Sequence, residues 1–203
     1  MKLQLSQTID GIALRAECDA ALRAQCEALL AALDRGDRLR PGQTVGFGPI
    51  ELVLVAEGDA LRLQVAAETV HVAAARDLSP ALALLAAQAA LLRQVGVPPG
   101  PLRARQLVVA ARGVLAAREV FALRAAAQDD DDSGWSLSRV DDAAATGAAD
   151  DPEAFEALEV HTVSVERPVL ATVLALPVGW SARVDGDAVV AVYDEHGAQR
   201  SLG

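Results

Sequence analysis

The chain has 203 residues, a formal net charge of −10 and an apolar fraction of 52%, and aromatic residues make up only 3% of it. This length fits one large domain or two of about 100 residues each, and we expect two. The negative charge disfavours nucleic acids and anionic membrane surfaces as partners, because both repel carboxylates. The N-terminal residues lack the pattern of a secretory signal, so we expect a cytoplasmic protein.

The chain opens with a predicted hairpin followed by a predicted helix. Asp10-Gly11 interrupts an alternating segment and predicts a turn between two short strands. A helical pattern then runs over residues 17–36, where Gly36 is a typical C-cap residue. Cys18 and Cys26 lie within this pattern, which places them about 12 Å apart along one helix and prevents a disulfide between them.

A second hairpin is predicted further along. Gly58-Asp59 separates two alternating runs, Val45–Ala56 and Leu61–Ala67. Residues 70–74 repeat the alternation, and we expect a further strand there. The helix at 17–36 is expected to pack on the sheet that these strands form.

A helix and a domain boundary follow. Ser and Pro at the start of residues 79–95 supply a capping hydroxyl and an N1 proline, which predicts a helix over this range. Residues 96–101 then contain three prolines and two glycines, which end the helix. We therefore predict two domains, an N-terminal domain over 1–100 and a second domain over 104–203.

The second half begins with an ambiguous segment. Leu107–Ala110 and Glu119–Leu123 are short apolar runs around Gly113, and we favour two strands. A single Ala-rich helix over 103–127 fits the helix propensities about as well, so it remains the alternative. Further on, residues 151–158 begin with an acidic cap and an N1 proline, which predicts a short helix.

The last part of the chain is predicted to be β-structure. Residues 160–165 and 184–193 are rich in valine, and Asp185-Gly186-Asp187 interrupts the second of these runs as a turn would. Both halves therefore combine strands with one or two helices. The predicted fold class is α+β, with two small domains that each pair a mostly antiparallel sheet with packed helices.

The charge is concentrated in the second half. Residues 104–203 carry eight Lys/Arg against seventeen Asp/Glu, a net charge of −9, whereas residues 1–103 are nearly neutral. Four consecutive carboxylates, Asp129–Asp132, are followed by Ser133-Gly134 and then by Trp135, one of only two tryptophans in the chain. An acidic surface of this kind attracts a basic partner, although many acidic proteins carry such a face only for solubility.

A series of short motifs runs through the second half. In order they are Leu107-Val108-Val109, Gly113-Val114-Leu115, Asp132-Ser133-Gly134-Trp135, Asp141-Asp142, Asp151-Pro152-Glu153, Thr162-Val163, Pro168 and Pro177-Val178-Gly179. This order resembles the thirty-third immunity-protein family of bacterial polymorphic-toxin systems, and Asp-Ser-Gly-Trp is its most specific part. The resemblance spans roughly residues 104–190. Ala154 stands where that family usually has Asn.

The resemblance implies a non-catalytic cytoplasmic protein that protects a bacterium by binding and neutralising a cognate toxin, including toxins delivered by type VI secretion. The charge agrees, because many toxins act on nucleic acids through basic clefts and an acidic inhibitor imitates phosphate charge. We therefore predict a basic toxin as partner, occluded by the acidic loop, and no cofactor. The candidate partner-binding residues are Asp129, Asp130, Asp131, Asp132, Trp135, Asp141, Asp142, Asp150 and Asp151.

Other interpretations stay open. A tryptophan after Ser-Gly in a small domain is often a core residue, so Trp135 has a structural alternative, and the aspartate run can be a solvated loop without a partner. The protein as a whole has a second hypothesis, a cytoplasmic ligand-binding or scaffolding module. In that case the acidic loop is a solvated edge and the first half carries the binding.

We predict neither an enzyme site nor a metal site. The histidines His71, His161 and His196 are isolated and lack zinc-ligand spacing. Ser133 lacks the flanking glycines of a nucleophile elbow, and Gly46-Phe47-Gly48 is a lone Gly-x-Gly in a strand context. The consecutive aspartates also lack the spaced ligands of a calcium loop.

Overall fold

The computed structural model of the protein describes four stretches of the chain, residues 1–34, 39–66, 75–140 and 152–202. Contacts divide the chain into two units, Met1–Ala86 and Ala87–Gly203. The division falls within helix Ser79–Val95, and the Pro/Gly segment at 96–101 belongs to the second unit. Both units contain a sheet and helices, which confirms the predicted α+β class.

The described strands of the first unit are β1 (Lys2–Ile9), β2 (Ile12–Asp19), β3 (Thr44–Phe47), β4 (Ile50–Glu57) and β5 (Ala60–Val65). They form one sheet in the order β1-β2-β5-β4-β3. β2 and β5 are parallel, and the other neighbours are antiparallel. Helix α1 (Arg23–Leu33) buries its leucines in one cluster with Leu14, Leu52 and Leu63 of the sheet.

Both predicted hairpin turns of this unit are confirmed, but the expectation of a single strand over Val45–Ala56 is wrong. This run forms β3 and β4, which pair with each other across a turn at Gly48-Pro49. Asp10 and Gly11 have φ angles of 49° and 80°, and this left-handed pair turns β1 directly into β2. Gly58, with a φ of 63°, lies in the turn between β4 and β5. Turn chemistry at these positions is local, which is why the sequence predicts it well.

The predicted helix start at Glu17 is wrong, because Glu17 lies in β2. This strand pairs with β1 along its whole length and with β5 on its other side. Pairing with two neighbours outweighs a local helical pattern. The helix begins at Arg23, after a 3-10 turn over Ala20–Leu22. Gly36 and the strand predicted at 70–74 lie outside the described residues.

The same difference brings the two cysteines together. Cys18 lies on β2 and Cys26 on α1, and both are fully buried in one core cluster as free thiols. The predicted separation along a single helix is therefore wrong. Burial, and after it the charge interaction with Cys18, raises the pKa of the Cys26 thiol to about 12.

The described strands of the second unit are β6 (Leu107–Ala111), β7 (Glu119–Arg124), β8 (Asp132–Arg139), β9 (Phe155–Glu159), β10 (Ser181–Asp185), β11 (Ala188–Tyr193) and β12 (Gln199–Arg200). Their order in the sheet is β12-β11-β10-β7-β8-β6-β9. Helix α2 (Ser79–Val95) spans the division between the two units, and helices α3 (Val160–Glu166) and α4 (Pro168–Val173) lie in the second. No helix within the described ranges is long and apolar enough to cross a bilayer.

The ambiguous start of this half folds as two strands, so the alternative of one helix over 103–127 is wrong. β6 and β7 are joined through Gly113, which has a φ of 74°. They do not pair with each other, because β8 inserts between them, antiparallel to β7 and parallel to β6. The predicted strands around Asp185-Gly186-Asp187 are confirmed as β10 and β11.

Two predictions near residue 155 are wrong. The helix expected over 151–158 is a single 3-10 turn, Pro152–Ala154, followed by β9, which pairs along β6 as an edge strand. The strand expected over 160–165 is α3. Its first amides, those of Val160 and His161, donate to carbonyls of the chain just before β6, at 2.9 Å each. These long-range hydrogen bonds satisfy the helix start, which the local valine pattern does not reveal.

Candidate partner-binding surface

The acidic loop, Asp129–Asp132, connects β7 to β8 at one end of the seven-stranded sheet. Two of its carboxylates are used to hold its own backbone. Asp129 Oδ1 accepts hydrogen bonds from the amides of Asp131 at 3.0 Å and Asp132 at 2.9 Å. Asp132 accepts with both oxygens, from the amides of Gln128 at 2.9 Å and Gly134 at 2.7 Å. These side chains are therefore structural parts of the loop.

The other two carboxylates point into solvent. The Asp130 side chain is 100% exposed, and its only ion pair among the described residues is a long one, 3.5 Å from Nη2 of the exposed Arg103. The Asp131 carboxylate is exposed and makes no hydrogen bond or ion pair within the part of the chain that the structure describes. The loop thus presents two negative charges to solvent.

The backbone beneath these charges is fixed to neighbouring segments. The carbonyl of Asp130 accepts from Arg103 Nη2 at 2.8 Å and from Gln106 Nε2 at 3.2 Å. The carbonyl of Asp131 accepts from the Leu107 amide at 2.7 Å, where β6 begins. Because these acceptors are main-chain oxygens, the loop is held without using its outward carboxylates.

The residues after Asp132 are also explained by the fold. Ser133 is buried, and its Oγ donates to the Leu107 carbonyl at 2.6 Å and accepts from the Trp135 amide at 3.2 Å. Gly134 has a φ of 74°, and a Cβ at this position would lie 2.3 Å from the Ala125 carbonyl oxygen. Only glycine fits there. The Asp-Ser-Gly segment forms a bulge at which β8 changes register against β6.

Trp135 lies in the core of the second unit. Its side chain is 1% exposed, and its indole nitrogen donates to the Leu174 carbonyl at 3.0 Å. The Arg124 guanidinium stacks 5.8 Å from the ring centroid, and burial lowers the pKa of that guanidinium. A tryptophan this deeply buried offers a partner no surface, so the structure corrects its assignment as a contact residue and agrees with the alternative of a core residue.

The remaining candidate residues are placed less fully. Asp141, Asp142, Asp150 and Asp151 lie outside the described residues, and their role in binding stays a prediction. Within the described stretches, no cluster of three His, Cys, Asp or Glu side chains is arranged to hold a metal ion.

Sequence reasoning missed a second feature, the solvent-facing side of the seven-stranded sheet. Leu107, Val109 and Leu123 point away from the core and are 40%, 48% and 42% exposed. The apolar character of β6 is visible in the sequence, because every residue of Leu107–Ala111 is apolar. The apolar face itself is not, because it arises only when β8 brings β6 and β7 to its two sides.

One comparison with known proteins identifies the second unit. The family model of the Imm33-like domain matches residues 87–195, which is more than half of the chain. No curated protein and no solved structure matches the chain. The matched region contains the acidic loop, the Asp-Ser-Gly-Trp segment and most of the seven-stranded sheet. The chain therefore belongs to the Imm33-like domain family, an immunity-protein family.

Proposed function

We propose that this protein neutralises a cognate toxin in the bacterial cytoplasm by binding it through the acidic loop. Membership of the Imm33-like domain family supports a toxin as partner. The observation that carries the proposal is the difference between the carboxylates of the loop. Asp129 and Asp132 hold the backbone, whereas Asp130 and Asp131 project into solvent. The activity is binding, with no catalytic step.

A rigid loop is well suited to binding. Ordering a flexible loop on association costs free energy, and a loop that is already held by backbone hydrogen bonds avoids most of this cost. Its two carboxylates also act at a distance, together with the net charge of −9 over residues 104–203. A field of this sign accelerates association with a basic surface and opposes binding to other acidic proteins.

The expected mode of inhibition is occlusion. A toxin that acts on an anionic substrate carries Lys and Arg around its active site, and these side chains are the natural counterparts of Asp130 and Asp131. Carboxylates that occupy this site exclude the substrate by charge and by volume.

The experiment compares two charge-reversed variants with the same net charge. The test variant carries Asp130→Lys and Asp131→Lys, and the control carries Asp34→Lys and Asp59→Lys, which are exposed positions in the first unit. Each variant is co-purified with the product of the adjacent toxin gene, and its association rate is measured over a range of salt concentrations. We expect association to slow by at least roughly tenfold in the test variant and to depend less on salt, with a much smaller change in the control.

The same variants are tested for protection of cells that produce the toxin. Loss of protection in the test variant alone is the expected result. Equal association rates in the test and control variants would show that the loop has no local role. The absence of any complex with the wild-type protein would instead favour a ligand-binding or scaffolding module whose acidic edge is only solvated.

A further inference from the structure

The side of the seven-stranded sheet that faces away from the core carries a row of uncharged side chains, of which Leu123, Ser136, Val109 and Ala157 are exposed and Ser181 is buried. Strand register pairs Tyr193 with Ser181, Ser181 with Leu123, Leu123 with Ser136, Ser136 with Val109, and Val109 with Ala157. Paired residues on neighbouring strands point to the same side of a sheet. This row, Tyr193-Ser181-Leu123-Ser136-Val109-Ala157, therefore crosses six strands on one face.

The opposite face of these strands is fully used by the fold. Val108, Ala122 and Leu137 alternate with members of the row and are almost completely buried in the core of the second unit. Helix α3 contributes Val160 and Val163 to that same core. A sheet with one packed face usually presents polar or charged side chains on the other. Here the centre of the other face presents Leu123 and Val109 on either side of a serine.

The row lies next to the acidic loop. Leu107, which is on the same face as Val109, donates its amide to the Asp131 carbonyl and pairs in register with Asp132. On its other side Leu107 pairs with Glu159, which is exposed. An apolar surface with a carboxylate-rich border at one end is the composition of a protein interface with a charged rim.

We propose that this row is the apolar part of the toxin contact, an inference that rests on the proposed function and extends it. The occupant is a toxin surface with exposed apolar side chains at its centre and Lys or Arg at the edge that meets Asp130, Asp131 and Glu159. In this arrangement the acidic loop raises the association rate, and the row lowers the dissociation rate of the complex.

Charge argues against a second copy of this chain as the occupant. Two copies that met through this face would bring two acidic ends into one interface, and residues 104–203 of each copy carry a net charge of −9. Like charges held together in an interface oppose association. The same acidic border attracts a basic partner.

The test introduces arginine into the row and at a matched position outside it. The test variants are Val109→Arg and Leu123→Arg in the full-length protein. The control is Val165→Arg on α3, because Val165 is 49% exposed and Val109 is 48% exposed. We expect the test variants to dissociate from the toxin roughly 30-fold faster or more, with little change in association rate, and the control to behave as wild type. Circular dichroism and thermal melting verify folding, and Val109→Ser serves as a milder second variant with a smaller increase in the dissociation rate.

Three results would contradict the inference, and they differ in what else they contradict. If wild-type protein forms a complex but the test variants and the control dissociate equally, the row is not in the interface and the proposed function stands. If wild-type protein forms no complex with the toxin, both the function and the interface are wrong. If wild-type protein is a dimer and Val109→Arg makes it a monomer, the row binds a second copy.

Discussion

The two faces of the seven-stranded sheet differ in burial, even between neighbouring residues of the same strand. On β8, Trp135 and Leu137 are each 1% exposed, whereas Ser136 between them is exposed to solvent. The packed face contributes its side chains to the core of the unit, whereas the centre of the open face is exposed to solvent. A surface of this kind can be adapted to a partner without changing the core, because the two sets of side chains share a backbone and little else.

The largest expected effect is on the packed face. Trp135→Ala removes a buried ring together with its hydrogen bond to Leu174, and we expect the free energy of unfolding to fall by about 3–5 kcal/mol. Ser136→Ala, on the open face, is expected to change it by less than about 0.5 kcal/mol. Urea denaturation of both variants measures the difference. Similar values for the two would mean that the faces do not divide as described.

A smaller effect is expected at the bulge beside Trp135. Gly134 and Gly113 have the same φ of 74°, but a Cβ would meet the Ala125 carbonyl oxygen only at Gly134, since nothing lies within 4 Å of it at Gly113. We expect Gly113→Ala to cost about 1–2 kcal/mol from the left-handed backbone alone. Gly134→Ala should cost at least about 1 kcal/mol more, because the strand must also move to relieve the contact. Equal melting temperatures for the two variants would contradict the described close approach.

The smallest effect is expected in the acidic loop. Asp132→Ala removes the acceptor of two backbone amides, and we expect a loss of about 1 kcal/mol in stability. Asp131→Ala removes a carboxylate that holds nothing in the described structure, so its unfolding curve should match that of the wild type. Thermal denaturation at neutral pH compares them. If Asp131→Ala is the less stable of the two, the roles assigned to the loop residues are reversed.

The parts of the fold that the sequence predicts well are those that neighbouring residues determine. The turns at Asp10-Gly11, Gly58-Asp59 and Asp185–Asp187 follow from residues that favour a left-handed or tight backbone wherever they occur. The errors at Glu17 and over 151–165 have the opposite origin. Each of these segments takes its structure from a partner strand or from carbonyls elsewhere in the chain, as β9 does from β6.

The candidate site shows the same limit. Composition alone indicates an acidic loop at Asp129–Asp132, and the motif around it indicates the family. Which two aspartates bind backbone amides and which two face solvent depends on the exact path of the loop. The burial of Trp135 depends on a core assembled from helices and strands on both sides of it in the sequence. The open face depends on strand order, which no single segment contains.

The way the loop is held has a consequence for how such a protein can evolve. The groups that fix Asp130 and Asp131 in place are their carbonyl oxygens, which every amino acid supplies. Substitutions at these two positions therefore alter the surface charge and leave the free energy of folding nearly unchanged. When the toxin changes, the protein can adapt through such substitutions, each of which is almost neutral for stability. Substitutions of Asp132, Gly134 or Trp135 lower the stability of the fold, so these residues are expected to stay constant.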